Sequence, residues 1–166
     1  MNLKEIMPGD INENTFNLVG KDWMLVTANN ADTVNTMTAS WGGLGVLWNK
    51  NVAFVFIRPS RYTYDLMECT NTFSLTFFDE QYRDALKYCG ANSGRDKDKI
   101  SEANLTPVSI DNTVIFEEAK ISVICKKLYI TDIDPAYFID ADIEKHYNGK
   151  DYHRMYIAEI EKVLVK

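Results

Sequence analysis

Histidine, cysteine and proline are scarce in this chain of 166 residues, with 2, 3 and 4 copies. With only His146 and His153 available, a histidine-based metal site lacks ligands, and no metal is expected. Cys69, Cys89 and Cys125 are odd in number and have no short metal-type spacing. They read as three reduced, mostly buried thiols, which points to a cytoplasmic protein. A Cys–His nucleophile pair stays open, although no cysteine stands in an activating motif. Long apolar runs are also missing. The longest is Val52-Ala53-Phe54-Val55-Phe56-Ile57, whereas a membrane helix needs about twenty residues. Met1-Asn2-Leu3-Lys4-Glu5 carries no apolar signal segment, and no membrane partner is expected. Basic charge is short as well: 18 Lys and Arg stand against 24 Asp and Glu, a net of −6 that repels nucleic acid.

What is present describes one folded domain over residues 1–166. Hydrophobic residues make up 46% and aromatics 12%, and this length holds a core without staples. A short helix is expected over Asn14 to Val19, ended by Gly20. Strands follow at Trp23 to Ala28, Val34 to Trp41 (broken by Gly42-Gly43), Asn51 to Arg58 (stopped by Pro59) and Thr72 to Phe78. Between them Tyr64, Leu66, Met67 and Thr70 fit a short helix. Tyr82, Ala85, Leu86 and Cys89 recur at helical spacing up to Gly90. One or two helical turns fit Asp96 to Ala103. A long strand or bent pair fits Ala119 to Ile133, and a closing strand Asp151 to Val165. Six to eight strands with irregularly inserted helices exclude a doubly wound parallel sheet and predict a mainly β, antiparallel barrel.

The chemistry is signalled by another absence. From Thr33 to Tyr64 there is no acidic residue, while Lys50, Arg58 and Arg61 are there. Buried strands exclude acids, which accounts for Asn51 to Ile57. Two arginines three apart around Pro59 leave open either structural accident or an anion site. Arg58-Pro59-Ser60-Arg61-Tyr62-Thr63 supplies two guanidinium forks, hydroxyls and a turn before a helix, which suit a phosphate. A helix-surface ion pair between Arg61 and Asp65 is the alternative for that arginine. No P-loop or dinucleotide glycine spacing occurs. The stretch Cys89 to Lys99 reads either as a solvated loop or as one that wraps a polar ligand. Many aromatics with few catalytic side chains favour a bound cofactor that brings its own chemistry.

Four segments in order carry a resemblance: Asn35-Thr36-Met37-Thr38-Ala39-Ser40-Trp41-Gly42, Arg58 to Thr63, Cys89-Gly90 with Ser93-Gly94-Arg95-Asp96 and Asp98-Lys99, and Asp151-Tyr152-His153. Together they resemble the flavin reductase-like family, of flavoredoxin type. The resemblance implies a Greek-key FMN-binding split β-barrel and a homodimer with the flavin near the subunit interface. It implies that Asn35, Met37, Thr38, Ala39, Ser40 and Trp41 flank the flavin ring and ribityl chain. Arg58, Ser60, Arg61 and Thr63 would hold the phosphate, and Ser93, Gly94, Arg95 and Lys97 would close over the flavin. His153 matches a histidine near the nicotinamide or the flavin edge and is the expected catalytic residue. The implied activity is an FMN-dependent oxidoreductase that takes hydride from NAD(P)H at FMN N5 and passes electrons to an acceptor. An FMN electron carrier without a nicotinamide site, serving a redox partner protein, is the alternative. A flavin-free barrel acting as a binding module is the third reading.

Overall fold

The computed structural model describes residues 2–166. Its strands are β1 (Lys4–Ile6), β2 (Met24–Asn29), β3 (Val34–Ala39), β4 (Gly42–Leu47), β5 (Lys50–Ile57), β6 (Thr72–Phe77), β7 (Pro107–Ile110), β8 (Thr113–Phe116), β9 (Ile121–Asp132) and β10 (Arg154–Val165). The helices are α1 (Tyr62–Cys69), α2 (Arg83–Ala91) and the single turn α3 (Lys99–Glu102). Eight strands form one antiparallel sheet in the order β3-β2-β6-β9-β10-β5-β4, with β1 on β10; β7 and β8 form a separate hairpin. The fold is mainly β and antiparallel, as the sequence predicts. β3 and β4 end the ladder and are joined only by Ser40-Trp41, so the sheet is split at that point.

Burial explains the ordering. Residues 73–77 are buried on both faces, one against the main core and one against the β7–β8 hairpin, where Ser74 Oγ donates to the Val114 carbonyl. The main cluster joins Val26, Met37, Val55, Met67, Phe73, Val123 and Tyr156 from six strands and α1. A second cluster seats α2 through Leu86 and Cys89 against Leu25 and Phe116. Burying side chains of this size stabilises by roughly 1.5–3 kcal/mol each, so the paired long strands β9 and β10 form the stable centre.

Several expectations need correction. The first helix does not end at Gly20. Asn14 caps the helix through the amides of Phe16 and Asn17, and the helix runs to Asp22 with a π-type turn, stopping at Trp23 with φ of +69°. Gly42-Gly43 does not break the sheet but opens β4. Gly42 has φ of +152°, and a Cβ there would meet the Phe54 carbonyl oxygen at 2.7 Å, so glycine lets two strands close up. Trp48-Asn49, both at positive φ, make the two-residue turn between β4 and β5. Of the two forms open for Ala119 to Ile133 the single long strand is found, as β9 (Ile121–Asp132), and ten strands among the described residues replace the six to eight expected.

Candidate functional site

Pro59 ends β5, and the chain turns through Arg58 O···Arg61 N (3.0 Å) into α1. This turn sets the Arg61 side chain, half-buried, between two clefts. Its guanidinium has no hydrogen-bond or ion-pair partner among the described residues. Asp65, one helical turn on, is taken by Arg95 at 2.5 Å instead. Burial and the neighbouring Arg58 lower the Arg61 pKa. Lys99 lines one of the same clefts and is buried. Its ammonium donates to the carbonyls of Cys89 and Asn92, both at 3.1 Å. Burial, then the charge of Arg61, push Lys99 down to about 8. Two cations thus face one cleft of about 170 Å³ that also holds Ser60, Tyr62, Asn92 and Ser93 and no carboxylate. Asp151 reaches Arg61 only through its charge and is bound to Ser60, so two like charges with no carboxylate in the cleft lining make a candidate anion site.

Arg61 also borders a second cleft, of about 220 Å³, formed by Met37, Thr38, Ala39, Ser40, Trp41, Phe56, Arg58 and His153. Here β3 runs out of the sheet. Met37 is buried, Thr38 to Ser40 are half-buried, and Thr38 Oγ1 donates to the Leu86 carbonyl of α2. Trp41 is exposed and packs against both His153 and His146, each with ring centroids 5.2 Å apart. The arrangement suits a flat, partly apolar ring whose anionic tail reaches Arg61 and Lys99.

The segment between β9 and β10 closes the edge of this cleft. Asp151 accepts from the Ser60 amide (3.0 Å) and hydroxyl (2.6 Å). Arg58 donates to the His146 carbonyl at 2.7 Å and lies over the Tyr147 ring at 5.1 Å. Its charge is therefore committed to holding that segment, and Ser60 is held likewise. His153 is buried, with Nδ1 2.9 Å from the Tyr147 hydroxyl. Burial, reinforced by Arg58, pushes its pKa down to about 4, so the ring is uncharged at neutral pH.

The remaining residues named from sequence fall in distinct places. Asn35 and Thr63 are buried and bound to each other, Asn35 Nδ2 donating to Thr63 Oγ1 at 2.8 Å. Gly94 packs directly on Asn35. Ser93 lies in the anion cleft, where its hydroxyl accepts from the Arg95 amide. Arg95 donates to the Ser60 carbonyl and stacks on Tyr62, so it pins the loop to the turn. Lys97 is exposed over the Tyr88 ring at 5.8 Å and borders a separate groove with Val34 and Gly94. Lys99 stands in the 93–99 motif but has no role assigned to it from sequence, and Tyr147 carries no signal there. Lys99 lies inside a charged stretch where nothing in the pattern separates a buried lysine from an exposed one.

The comparisons agree with this architecture. The family described as "Flavin reductase like domain" matches residues 17–166. The FMN-binding domain of a flavin reductases-like enzyme from Shewanella baltica OS155 superposes with a TM-score of 0.72 at 14% identity, over 99% of this chain and 77% of that one. Flavoredoxin from Methanosarcina acetivorans gives 0.70 at 18% identity, over 87% and 68%. Flavoredoxin of Desulfovibrio vulgaris (Miyazaki F) gives 0.69 at 21%, over 96% and 77%. None of the curated proteins compared matches the chain. At these identities the structural likeness carries the fold alone, while the family match spans nearly the whole sequence: the chain belongs to the flavin reductase-like domain family.

Proposed function

We propose that the protein is an FMN-binding oxidoreductase. The observation that carries this reading is the unpartnered Arg61 guanidinium beside buried Lys99, at the end of a cleft lined by Met37, Trp41, Phe56 and His153. A flavin phosphate is close to a dianion at neutral pH and matches two adjacent cations in a cleft with no carboxylate in its lining; Asp151, whose charge reaches Arg61, is bound to Ser60. Arg61 and Lys99 would hold the phosphate, with Ser93 beside them. Met37 to Trp41 would flank the ring, and Arg58 with Ser60 would keep the 146–151 segment closed against it. Bound FMN supplies the redox chemistry, taking up and releasing electrons. The chain binds, orients and shields it. His153, uncharged, contributes a hydrogen-bonding edge rather than a proton reservoir. The similar structures named for FMN binding support the same cofactor.

NAD(P)H is the proposed electron donor. A second reading, an electron carrier without a nicotinamide site, is favoured by one feature: Trp41 packs on His153 in the lining of the same cleft. Two of the similar structures are flavoredoxins. The protein should be yellow, with about one FMN per chain; failure to quench added FMN fluorescence at micromolar concentration rejects the cofactor. Anaerobic mixing of the FMN-loaded protein with NADH and with NADPH separates the readings, since bleaching supports the reductase and its absence the carrier.

A homodimer is part of the proposal. Trp48 and Tyr129 are exposed with their rings 6.2 Å apart, and Leu128 and Ile130 beside Tyr129 in the chain are exposed too. Apolar surface of this kind suits a second copy. Sedimentation as a single 19.0 kDa species would reject it. No helix among the described residues is long and apolar enough to cross a membrane. The cytoplasm is the proposed location, and a redox partner protein the proposed recipient of electrons under the carrier reading.

A further inference from the structure

We infer that Tyr147 is a positioning residue that holds His153 as the tautomer protonated on Nε2, so that the cleft beside Trp41 meets an uncharged N–H donor. The two side chains are six residues apart, at the end of the 134–152 segment and just before β10, and both are buried. Tyr147 Oη and His153 Nδ1 are 2.9 Å apart, and neither atom has another partner among the described residues. That pair of atoms has two neutral arrangements. In one, the phenol donates to Nδ1 and the imidazole proton sits on Nε2. In the other, Nδ1–H donates to the phenol oxygen, and the phenol proton is left without an acceptor in a buried site. The first pairs the phenol proton and leaves only the Nε2 proton, which faces the cleft; the second orphans the phenol proton in a buried site, which is the costly alternative.

The surroundings remove the charged form. Arg58 lies over the Tyr147 ring at 5.1 Å and opposes a second positive charge on His153. Asp151 acts the other way, but its carboxylate is engaged by Ser60 and lies 3.9 Å from Arg58. Trp41 and the Tyr147 ring pack on the imidazole and leave it largely buried. Glu144, the nearest acid to Tyr147, is taken by the Gly149 amide and the Tyr152 hydroxyl. His146, which also packs against Trp41, is exposed. The phenol itself stays protonated, since burial raises its pKa. Tyr147 is held in turn by stacking on Phe138, with centroids 6.0 Å apart, and on Tyr152 at 4.9 Å.

Nε2 lies on the side of the ring away from Tyr147 and is the nitrogen left for the cleft that His153 lines. A neutral N–H donor there recognises a carbonyl oxygen or an unprotonated ring nitrogen, and its strength does not change across neutral pH. His153 then orients a ligand by hydrogen bonding rather than by donating a proton. The inference deepens the proposed function by naming what its cleft presents, but the tautomer is a property of the chain and is read without any flavin.

The test is nitrogen-15 NMR of the labelled protein near neutral pH, reading both ring nitrogens of each histidine through their couplings to the ring protons. His153 should show an unprotonated Nδ1 and a protonated Nε2, unchanged on lowering the pH to about 5.5. A protonated Nδ1, or an imidazolium at neutral pH, overturns the inference from the wild-type spectrum alone. Tyr147→Phe keeps the stacked ring and removes the hydroxyl. The Nδ1-protonated form should then rise from a minor to a comparable share. Unchanged His153 signals in that variant assign the tautomer to something other than Tyr147. A protein that fails to bind FMN yet shows the expected tautomer rejects the flavin reading and leaves this one standing.

Discussion

Gly94 packs against Asn35 with no room for a side chain: a Cβ at Gly94 would overlap the Asn35 carboxamide. Asn35 in turn binds Thr63 at 2.8 Å, so one buried contact ties β3, α1 and the 92–98 loop together. Gly94→Ala must displace Asn35 or the loop. A loss of about 1–3 kcal/mol in stability is expected, together with weaker FMN binding. Gly90→Ala is the comparison, because a Cβ there meets Thr38 Cβ at 3.3 Å, a tight but adjustable contact. Urea melts of the two variants read the difference, and equal midpoints would show that the loop shifts freely.

Arg61→Ala should weaken FMN by roughly ten- to hundredfold, the worth of one or two charge-assisted hydrogen bonds, and riboflavin little. The ion pair with Asp65 that the helical spacing suggests is absent, since Arg95 holds Asp65. Arg95→Ala should cost less than Arg61→Ala because its charge is already partnered. Fluorescence titration of both variants with both flavins decides the matter. Equal weakening of FMN and riboflavin removes Arg61 from the phosphate site.

Much of the fold was legible because burial writes itself into alternation. Thr72–Phe77 and Lys50–Ile57 are strands where apolar periodicity and Pro59 placed them. β4 escaped notice because Gly42, Gly43 and Gly45 carry no pattern. Of these, Gly42 is required by Phe54 on the next strand, whose carbonyl oxygen a Cβ would meet at 2.7 Å, whereas Cβ atoms at Gly43 and Gly45 would make ordinary contacts with the Phe54 ring at 3.9 and 3.6 Å. The cleft residues Met37 to Trp41 and the Arg58–Arg61 turn were legible as motifs. What they do individually was not. Arg58 and Ser60 are bound to residues nearly ninety positions away or more, and Lys99 rather than Lys97 is buried. Such assignments depend on which distant loop folds onto a turn, and no local spacing encodes that.

FMN affinity should fall as pH rises through about 8. Burial and Arg61 lower the Lys99 pKa to about 8, so above that value the free protein loses one of its two cleft charges. A bound phosphate favours the protonated amine and raises its pKa again. Binding therefore takes up a proton at pH above 8, and affinity drops by up to about tenfold per pH unit until the raised value is reached. Riboflavin binding should stay flat in the same window. Lys99→Met should bind FMN more weakly and without this slope. A wild-type affinity that is constant from about pH 7 to 10 would place Lys99 outside the phosphate's reach.

Stability should carry an acid-side signature from His153. Its folded value, about 4, lies below the ordinary 6.5 because burial and Arg58 disfavour the imidazolium. Between these values the unfolded chain binds more protons than the native one. The stabilising effect is therefore complete above pH 6.5 and is lost as pH falls toward 4, by up to about 3 kcal/mol in total. Below about 4 both states are protonated and the contribution stops changing. Carboxylates titrate near the lower end of that window, so the wild-type curve alone is ambiguous. The difference between wild type and His153→Gln isolates the histidine, because the carboxylates are common to both. Denaturant midpoints from about pH 7 down to 4 should converge as pH falls, with wild type losing stability faster than the variant. His146→Gln is the control: His146 is exposed, and its removal should leave the slope in place. Parallel curves for wild type and His153→Gln would mean that His153 charges freely in the folded protein, and that the cleft beside Trp41 is open to water.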